Sequence, residues 1–250
     1  VIYEWTPEGV PLMGGRPEGD RNFGDALIDV VYDIQERIRF YSDPEIVYCL
    51  MGSVITNTVI EEILRENKKP VFIRCGYRGD PLNSSLLEQC SFFGVRGVKT
   101  QEALRRYGID TWLGMDPGYD VPLSVPQGDA NARILMIPHI LDPNRDKYQA
   151  KDFGADMIVK PIVTTEKSII DIVRLISGAR FVLTGSLHGA IIAHAYKVPF
   201  GLFSTDHVDC PFKWQDWAET MGISPIKFFD NVTDARHWYL RSVPIWKGLD

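Results

Sequence analysis

Between Arg180 and Phe200 the chain spells out one strand-turn-helix unit. Phe181, Val182, Leu183 and Thr184 are apolar or β-prone, the pattern of a short buried strand. Gly185 and Ser186 supply a sharp turn and a helix cap. The run 187–196, rich in Ala and Ile, reads as a helix with a small face, closed before Pro199. Such a unit belongs to an open α/β sheet, whose ligands sit where strand carboxyl ends meet helix amino ends. His188 falls at that junction, and Gly185, Gly189 and Ala190 keep side-chain bulk away from it.

The same alternation runs along the chain. Residues 1–5 read as a strand and 25–39 as an amphipathic helix with Leu27, Val30, Val31, Ile34 and Ile38 on one stripe. Strands at 46–51, 70–75 and 92–95 alternate with helices at 57–66 and 100–107, the last ended by Gly108. A polar stretch at 123–132 carries Pro126 and Gly128 and reads as a linker. Beyond it come strands at 134–138 and 157–160, a helix at 166–177, the opening unit, a strand at 200–203 and a helix at 214–221. The alternation predicts an α/β fold of two parallel-sheet units, 1–124 and 131–222, with a ligand cleft between them. The aromatic tail 223–250 is expected to pack back on the first unit through a helix near 234–241.

Composition narrows the partners. With 45% hydrophobic residues the chain has ample material for a core, and its net charge of −6 leaves no cationic surplus for nucleic acid. The four cysteines show no CxxC spacing, which argues against zinc and suits a reducing cytosol. No apolar stretch approaches the ~20 residues of a membrane span, and no signal peptide is visible. The first residue is Val, so trimming at the amino end stays open. The expected location is cytoplasmic, with room for peripheral membrane association but no membrane span.

His188 and His194 cannot share a metal, because six residues at ~100° each set them roughly 120° apart around the helix. His194 reads as structural. His139, after Ile137-Pro138, ends a strand on the same sheet edge as His188.

Four glycine-bearing turns follow predicted strands, as an anion-binding cleft requires. They are Asn22-Phe23-Gly24-Asp25, where Asp25 is the expected N-cap; Met51-Gly52-Ser53; Gly76-Tyr77-Arg78-Gly79; and the run from Gly94 to Thr100. Arg78 either grips a carboxylate or phosphate or is a solvated loop charge. Arg96 with nearby backbone N–H groups makes a phosphate cradle, Thr100 capping the helix that follows. None is a Walker loop or GxGxxG. The run 209–217 packs aromatics around Lys213 and Asp216, either as a platform for a sugar or as an amphipathic helix start with a surface ion pair and Trp214 and Trp217 in the core. The residues alone support a two-domain α/β transferase acting on an anionic small molecule.

Those motifs, in this order, resemble the polysaccharide pyruvyl transferase family, its succinoglycan-type members above all. They are Asn22-Phe23-Gly24-Asp25, Gly52-Ser53, Gly76-Tyr77-Arg78, Val95-Arg96-Gly97 with Thr100, Asp116-Pro117-Gly118, Ile137-Pro138-His139, Ser186-Leu187-His188-Gly189 with Pro199, and 212–216. The resemblance implies two Rossmann-like domains facing across a cleft, a GT-B-like fold. It also implies transfer of a pyruvyl group from phosphoenolpyruvate to two hydroxyls of a saccharide or lipid-linked oligosaccharide, forming a ketal.

It makes His188 the acid/base and Arg96, Arg78, Ser186, Leu187, His139 and Lys213 the donor side. Asn22, Asp25 and Asp216 are acceptor-binding or structural, and the scheme needs no metal or cofactor beyond the co-substrate phosphoenolpyruvate. Many members carry arginine two residues before the histidine, where this chain has Ser186, so either another cation such as Arg96, Arg78 or Lys213 holds phosphoenolpyruvate or the donor differs. Two other readings stand beside it: a nucleotide-sugar glycosyltransferase on the same fold, and a non-catalytic saccharide-binding protein, suggested by the missing arginine.

Overall fold

The structure, a computed structural model, describes residues 3–5, 11–13, 19–32 and 43–244. It is α/β, with two Rossmann-like units facing across a cleft. At the amino end β1 (Tyr3–Trp5) pairs antiparallel with β2 (Pro11–Met13). Next come β3 (Arg21–Asn22), α1 (Phe23–Ala26) and α2 (Ile28–Val31). The first parallel sheet has β4 (Ile46–Cys49), β5 (Lys69–Cys75) and β6 (Ser91–Val95) side by side. Between β4 and β5 runs α3 (Asn57–Arg65), which starts where the Thr56 hydroxyl accepts from the Val59 N–H and which buries Val59, Ile60 and Ile63. The short α4 (Ser84–Leu87) joins β5 to β6, and α5 (Val98–Arg105) follows β6.

After α6 (Val121–Ser124) the chain is pinned rather than loose. Gln127 and the Gly128 N–H bond to Ser177. The second sheet contains β7 (Ile134–Ile137), β8 (Met157–Ile158), β10 (Phe181–Thr184), β11 (Phe200–Phe203) and β12 (Phe228–Phe229), while β9 (Ile162–Val163) pairs antiparallel with β3. Its order is β12-β11-β10-β7-β8, every pairing parallel. β7 and β10 are buried at every position, as a sheet covered on both faces requires. The order reverses direction between β7 and β10, and such a switch point opens a crevice beyond the strands' carboxyl ends. Helices α7 (Glu166–Ser177), started by a Thr165–Ser168 capping box, and α8 (Leu187–Ala195) flank this sheet.

Several expectations need correcting. The amphipathic stretch 25–39 forms α1 and α2 up to Val31, and its remainder from residue 33 lies outside the described residues. Phe23, Ala26, Leu27 and Val30 join the core of the second sheet, so residues 21–31 pack across the division drawn at 124.

The helix that crosses between units is α9 (Pro211–Thr220), not the tail. Gly97 at the start of α5 offers no side chain. The Asp216 carboxylate therefore accepts from the Thr100 N–H at 2.9 Å and hydroxyl at 2.7 Å, and the Thr220 hydroxyl accepts from Val98 N–H. Thr100 is thus an interior residue rather than the cap. Trp214 and Trp217 are core side chains, which removes the aromatic platform, and Asp216 is fully buried rather than part of a surface pair.

The tail helix α10 (Val232–Ser242) covers β11 and β12. Ala235 sits so close over Gly201 that an added β-carbon there would lie 2.4 Å from it, and Trp238 packs on Phe200 and Phe229. Deleting residues 231–250 therefore uncovers the second sheet. At roughly 1.5–3 kcal/mol for each large apolar side chain returned to water, the truncated chain is expected to lose most of its cooperative thermal transition. Unchanged melting followed by circular dichroism would show that the helix is peripheral. Among the described residues no helix is long and apolar enough to cross a membrane.

Candidate active site

A cavity of about 380 Å³ opens where the carboxyl ends of both sheets face each other. The turn after β10 is braced by Thr184, whose hydroxyl accepts from the Ser186 N–H and donates to the Ser186 carbonyl. Gly189 is required there, because an added β-carbon would fall 2.4 Å from the Thr184 hydroxyl. Ser186, Leu187 and His188 consequently line the cavity at the amino end of α8, and the Ser186 hydroxyl makes no capping bond. Unsatisfied N–H groups and the positive end of the helix dipole make this end receptive to an anion.

His188 is 8% exposed and lies between two carboxylates. Its Nε2 stands 3.6 Å from Asp116 Oδ2. Its Nδ1 lies against Gly24 of α1, where an added β-carbon would come within 2.0 Å. Asn22, not Asp25, caps α1 by accepting from the Gly24 N–H, and it also donates to Asp25 at 2.9 Å. Asp25 is thereby freed to line the cavity. Burial pushes its carboxyl up, against the opposing pull of His188, Asn22 and Lys213. Burial also acts to raise Asp116, but His188, Arg96 and the Gly118 N–H outweigh it and hold that group below the ordinary carboxylate value. One carboxyl beside the histidine is therefore biased toward its neutral form and the other toward its anion.

Arg96 leaves the end of β6 and is 2% exposed. Its Nη1 donates to Ser53 at 2.8 Å, and Nη2 stands 3.6 Å from Asp216. Gly76 makes room for the guanidinium, since a β-carbon there would meet Nη2 at 2.2 Å. Arg96 lines the cavity, and its Nε and Nη2 are buried without hydrogen-bond partners. Asp216 belongs to the helix junction behind Arg96 and does not line the cavity.

A second charged group forms the rim. Asp209 accepts from Arg78 at 3.1 Å and from Lys213, and it stands 3.5 Å from His139 Nε2. These two cations and Asp209 tie the loop after β5 to the start of α9. His139 Nδ1 accepts from the Leu141 N–H, which leaves Nε2 as the protonated nitrogen of a neutral ring. Burial and Lys213 push the His139 pKa down to about 3, and burial pushes His194 down to about 4. His194 Nδ1 meets the Tyr119 hydroxyl at 2.8 Å, away from the cavity.

Both rings resist protons in the folded state that they accept near 6.5 when unfolded. Their contribution to stability is therefore present above pH 6.5 and is lost as pH falls toward 4. Urea unfolding is expected to show stability dropping over that window, with the drop reduced in His194→Phe; a flat profile would contradict the two buried neutral rings.

The cavity thus brings together His188, Arg96, Arg78, Ser186, Leu187, His139, Lys213, Asn22 and Asp25, leaving out Asp216. The sequence reading gave no role to Asp116, met only in the Asp116-Pro117-Gly118 run, or to Asp209, met only as the start of the run 209–217. The Asp116-Pro117-Gly118 run carried a usable signal, an N-cap before proline. Asp209 carried none, because its partners are a loop cation 131 residues away and a lysine one turn on. Among the described residues no group of three or more His, Cys, Asp or Glu side chains is placed to hold a metal ion.

Comparison with known proteins bears on the family and the fold. A family model described as polysaccharide pyruvyl transferase matches residues 81–207. The succinoglycan biosynthesis protein ExoV of Rhizobium meliloti (strain 1021) is 43% identical over 54 residues, a stretch covering 22% of this chain and 17% of that relative. Among solved structures, the UDP-GlcNAc 2-epimerase of Methanocaldococcus jannaschii, in complex with UDP-GlcNAc and UDP, superposes with a TM-score of 0.52 at 14% identity. That match covers 90% of this chain and 76% of the epimerase, and what the two share is the fold.

Proposed function

The chain belongs to the polysaccharide pyruvyl transferase family, and we propose that it moves a pyruvyl group from phosphoenolpyruvate onto two hydroxyls of one sugar. The acceptor is a surface polysaccharide or its lipid-linked precursor, the product is a pyruvate ketal, and the reaction runs in the cytoplasm. The observation that carries this reading is the convergence of three cations, Arg96, Arg78 and Lys213, with His188 at the open amino end of α8. A small substrate bearing both a carboxylate and a phosphate needs such an array.

Phosphoenolpyruvate becomes electrophilic when its methylene carbon takes a proton. The double-bond electrons form the new C–H bond, and cationic character builds at the neighbouring carbon. His188 supplies that proton. A sugar hydroxyl then attacks the cationic carbon and returns its proton to His188. The C–O bond to phosphate breaks, and a second hydroxyl closes the ketal, its proton leaving with phosphate. Arg96 has the unspent donors to replace the arginine absent at Ser186, with the Ser186 hydroxyl and the Leu187 N–H beside it. Lys213 and Arg78 meet the second anionic group as it displaces Asp209. Asn22 and Asp25 present an amide and a carboxyl to sugar hydroxyls, and no metal enters the scheme.

The test is turnover. Incubation with phosphoenolpyruvate and a panel of saccharides should release phosphate and add one pyruvyl ketal to an acceptor, read by mass spectrometry. Release of UDP or GDP from a nucleotide sugar would assign a glycosyltransferase instead. Saccharide binding with neither donor consumed would assign a binding protein.

A further inference from the structure

We propose that Asp116 is the positioning residue for His188, holding the Nε2 edge of the imidazole so that Nδ1 is the nitrogen that exchanges a proton with substrate. This inference rests on the reading of His188 as the acid/base given above.

The geometry is specific. Asp116 Oδ2 and His188 Nε2 are both buried, neither makes a hydrogen bond, and each is the other's charged neighbour at 3.6 Å. Hydrogen bonds of catalytic pairs are often long in a ligand-free site and tighten when substrate is bound. The other carboxylate oxygen is fixed, accepting from the Gly118 N–H at 2.8 Å. The loop that carries Asp116 is clamped by Arg74, whose Nε donates to the carbonyls of Gly114 and Met115 and whose Nη2 donates to that of Asp116 at 3.3 Å, while Nη1 pairs with Asp120. On its Nδ1 side the ring meets Gly24, and on its Cδ2 side an added β-carbon at Gly118 would lie 3.9 Å away. The ring is thus held from three directions.

An ionised carboxylate accepts and cannot donate. A neutral imidazole can satisfy Asp116 only as the Nε2–H tautomer, which leaves the Nδ1 lone pair free to take a proton. The imidazolium formed then has its positive charge beside a buried anion. The charged groups facing the ring are Asp116 and, from α1, Asp25; Arg96 and Lys213 act on those two carboxylates. The cycle balances, with the Nδ1 proton going to the donor's methylene carbon and a sugar hydroxyl proton returning to Nδ1 as the C–O bond forms.

The deciding experiment needs no substrate. In the full chain labelled with ¹⁵N-histidine, with the His188 signals identified by their loss in His188→Gln, nitrogen shifts at the alkaline end of a pH titration, where the ring is neutral, should report the Nε2–H tautomer. In Asp116→Asn the side-chain oxygen still accepts from Gly118, but the amide N–H₂ turns toward Nε2 and should switch the ring to Nδ1–H. Turnover of that variant should fall by roughly 10²-fold or more, as expected when the wrong tautomer is imposed, with KM for phosphoenolpyruvate within twofold and the alkaline limb of the pH–rate profile, where the protonated ring is lost, moved to lower pH. A wild-type ring in the Nδ1–H form overturns the proposal, and that reading stands even if the variant does not fold. An Asp116→Asn variant with unchanged tautomer and pH profile also overturns it. Failure of phosphoenolpyruvate as donor would sink the proposed function but would leave the tautomer result to decide this inference.

Discussion

His188→Ala is expected to lower turnover by about 10²-fold or more while the fold survives. The fold is expected to survive because His188 makes no hydrogen bond through Nε2 and touches Gly24 and Gly118, which have no side chains to lose. The core of the second sheet is built instead from β7, β10 and the Ile and Ala residues of α8. Activity should collapse because the other cavity histidine cannot substitute. His139 is held neutral, its pKa pushed down to about 3 by burial and Lys213, so at neutral pH it is not the imidazolium that could protonate a carbon atom. Normal turnover by His188→Ala, with melting unchanged, would remove the acid/base assignment.

Arg96→Ala is expected to damage donor binding and stability together. A bidentate or charge-assisted contact to an anion is worth roughly 1.5–3 kcal/mol, so affinity for phosphoenolpyruvate should fall about ten- to a hundredfold. Arg96 is also the buried cation beside Asp216 and one of those that stabilise the Asp116 anion. Removing one member of a buried charge pair typically costs about 3 kcal/mol or more, so the alanine variant alone cannot separate binding from bracing. Arg96→Lys can. It keeps the charge near Asp216 and Asp116 but lacks the planar fork, so most stability should return while donor affinity stays low. Wild-type affinity in Arg96→Lys would reduce Arg96 to a brace of the turn.

Local pattern told most where the chain obeys a single period. The strand 181–184 and the helix 166–177 form with the bounds their residues suggest, because one is apolar throughout and the other carries a capping box and one apolar stripe. His188, Arg96 and Lys213 were findable because each follows a turn whose glycines or caps mark a strand's end or a helix's start. Features decided by distant partners were not legible. Nothing in residues 21–31 says that they pair with β9 and enter the second core. Nothing local tells Asp216 to cap α5, since the need arises at Gly97, 119 positions earlier, where glycine leaves the helix end bare. The aromatic tail was read correctly as too apolar for water, but which sheet it covers depends on Gly201 opening a groove for Ala235.

The central claim is that this cavity is built for phosphoenolpyruvate, and calorimetric titration of the full chain tests it without an acceptor. Phosphoenolpyruvate is expected to bind at one site, to be weakened at least tenfold in Arg96→Lys, and to be displaced by phosphate but not by UDP. Tight binding of UDP with no heat from phosphoenolpyruvate would contradict the account.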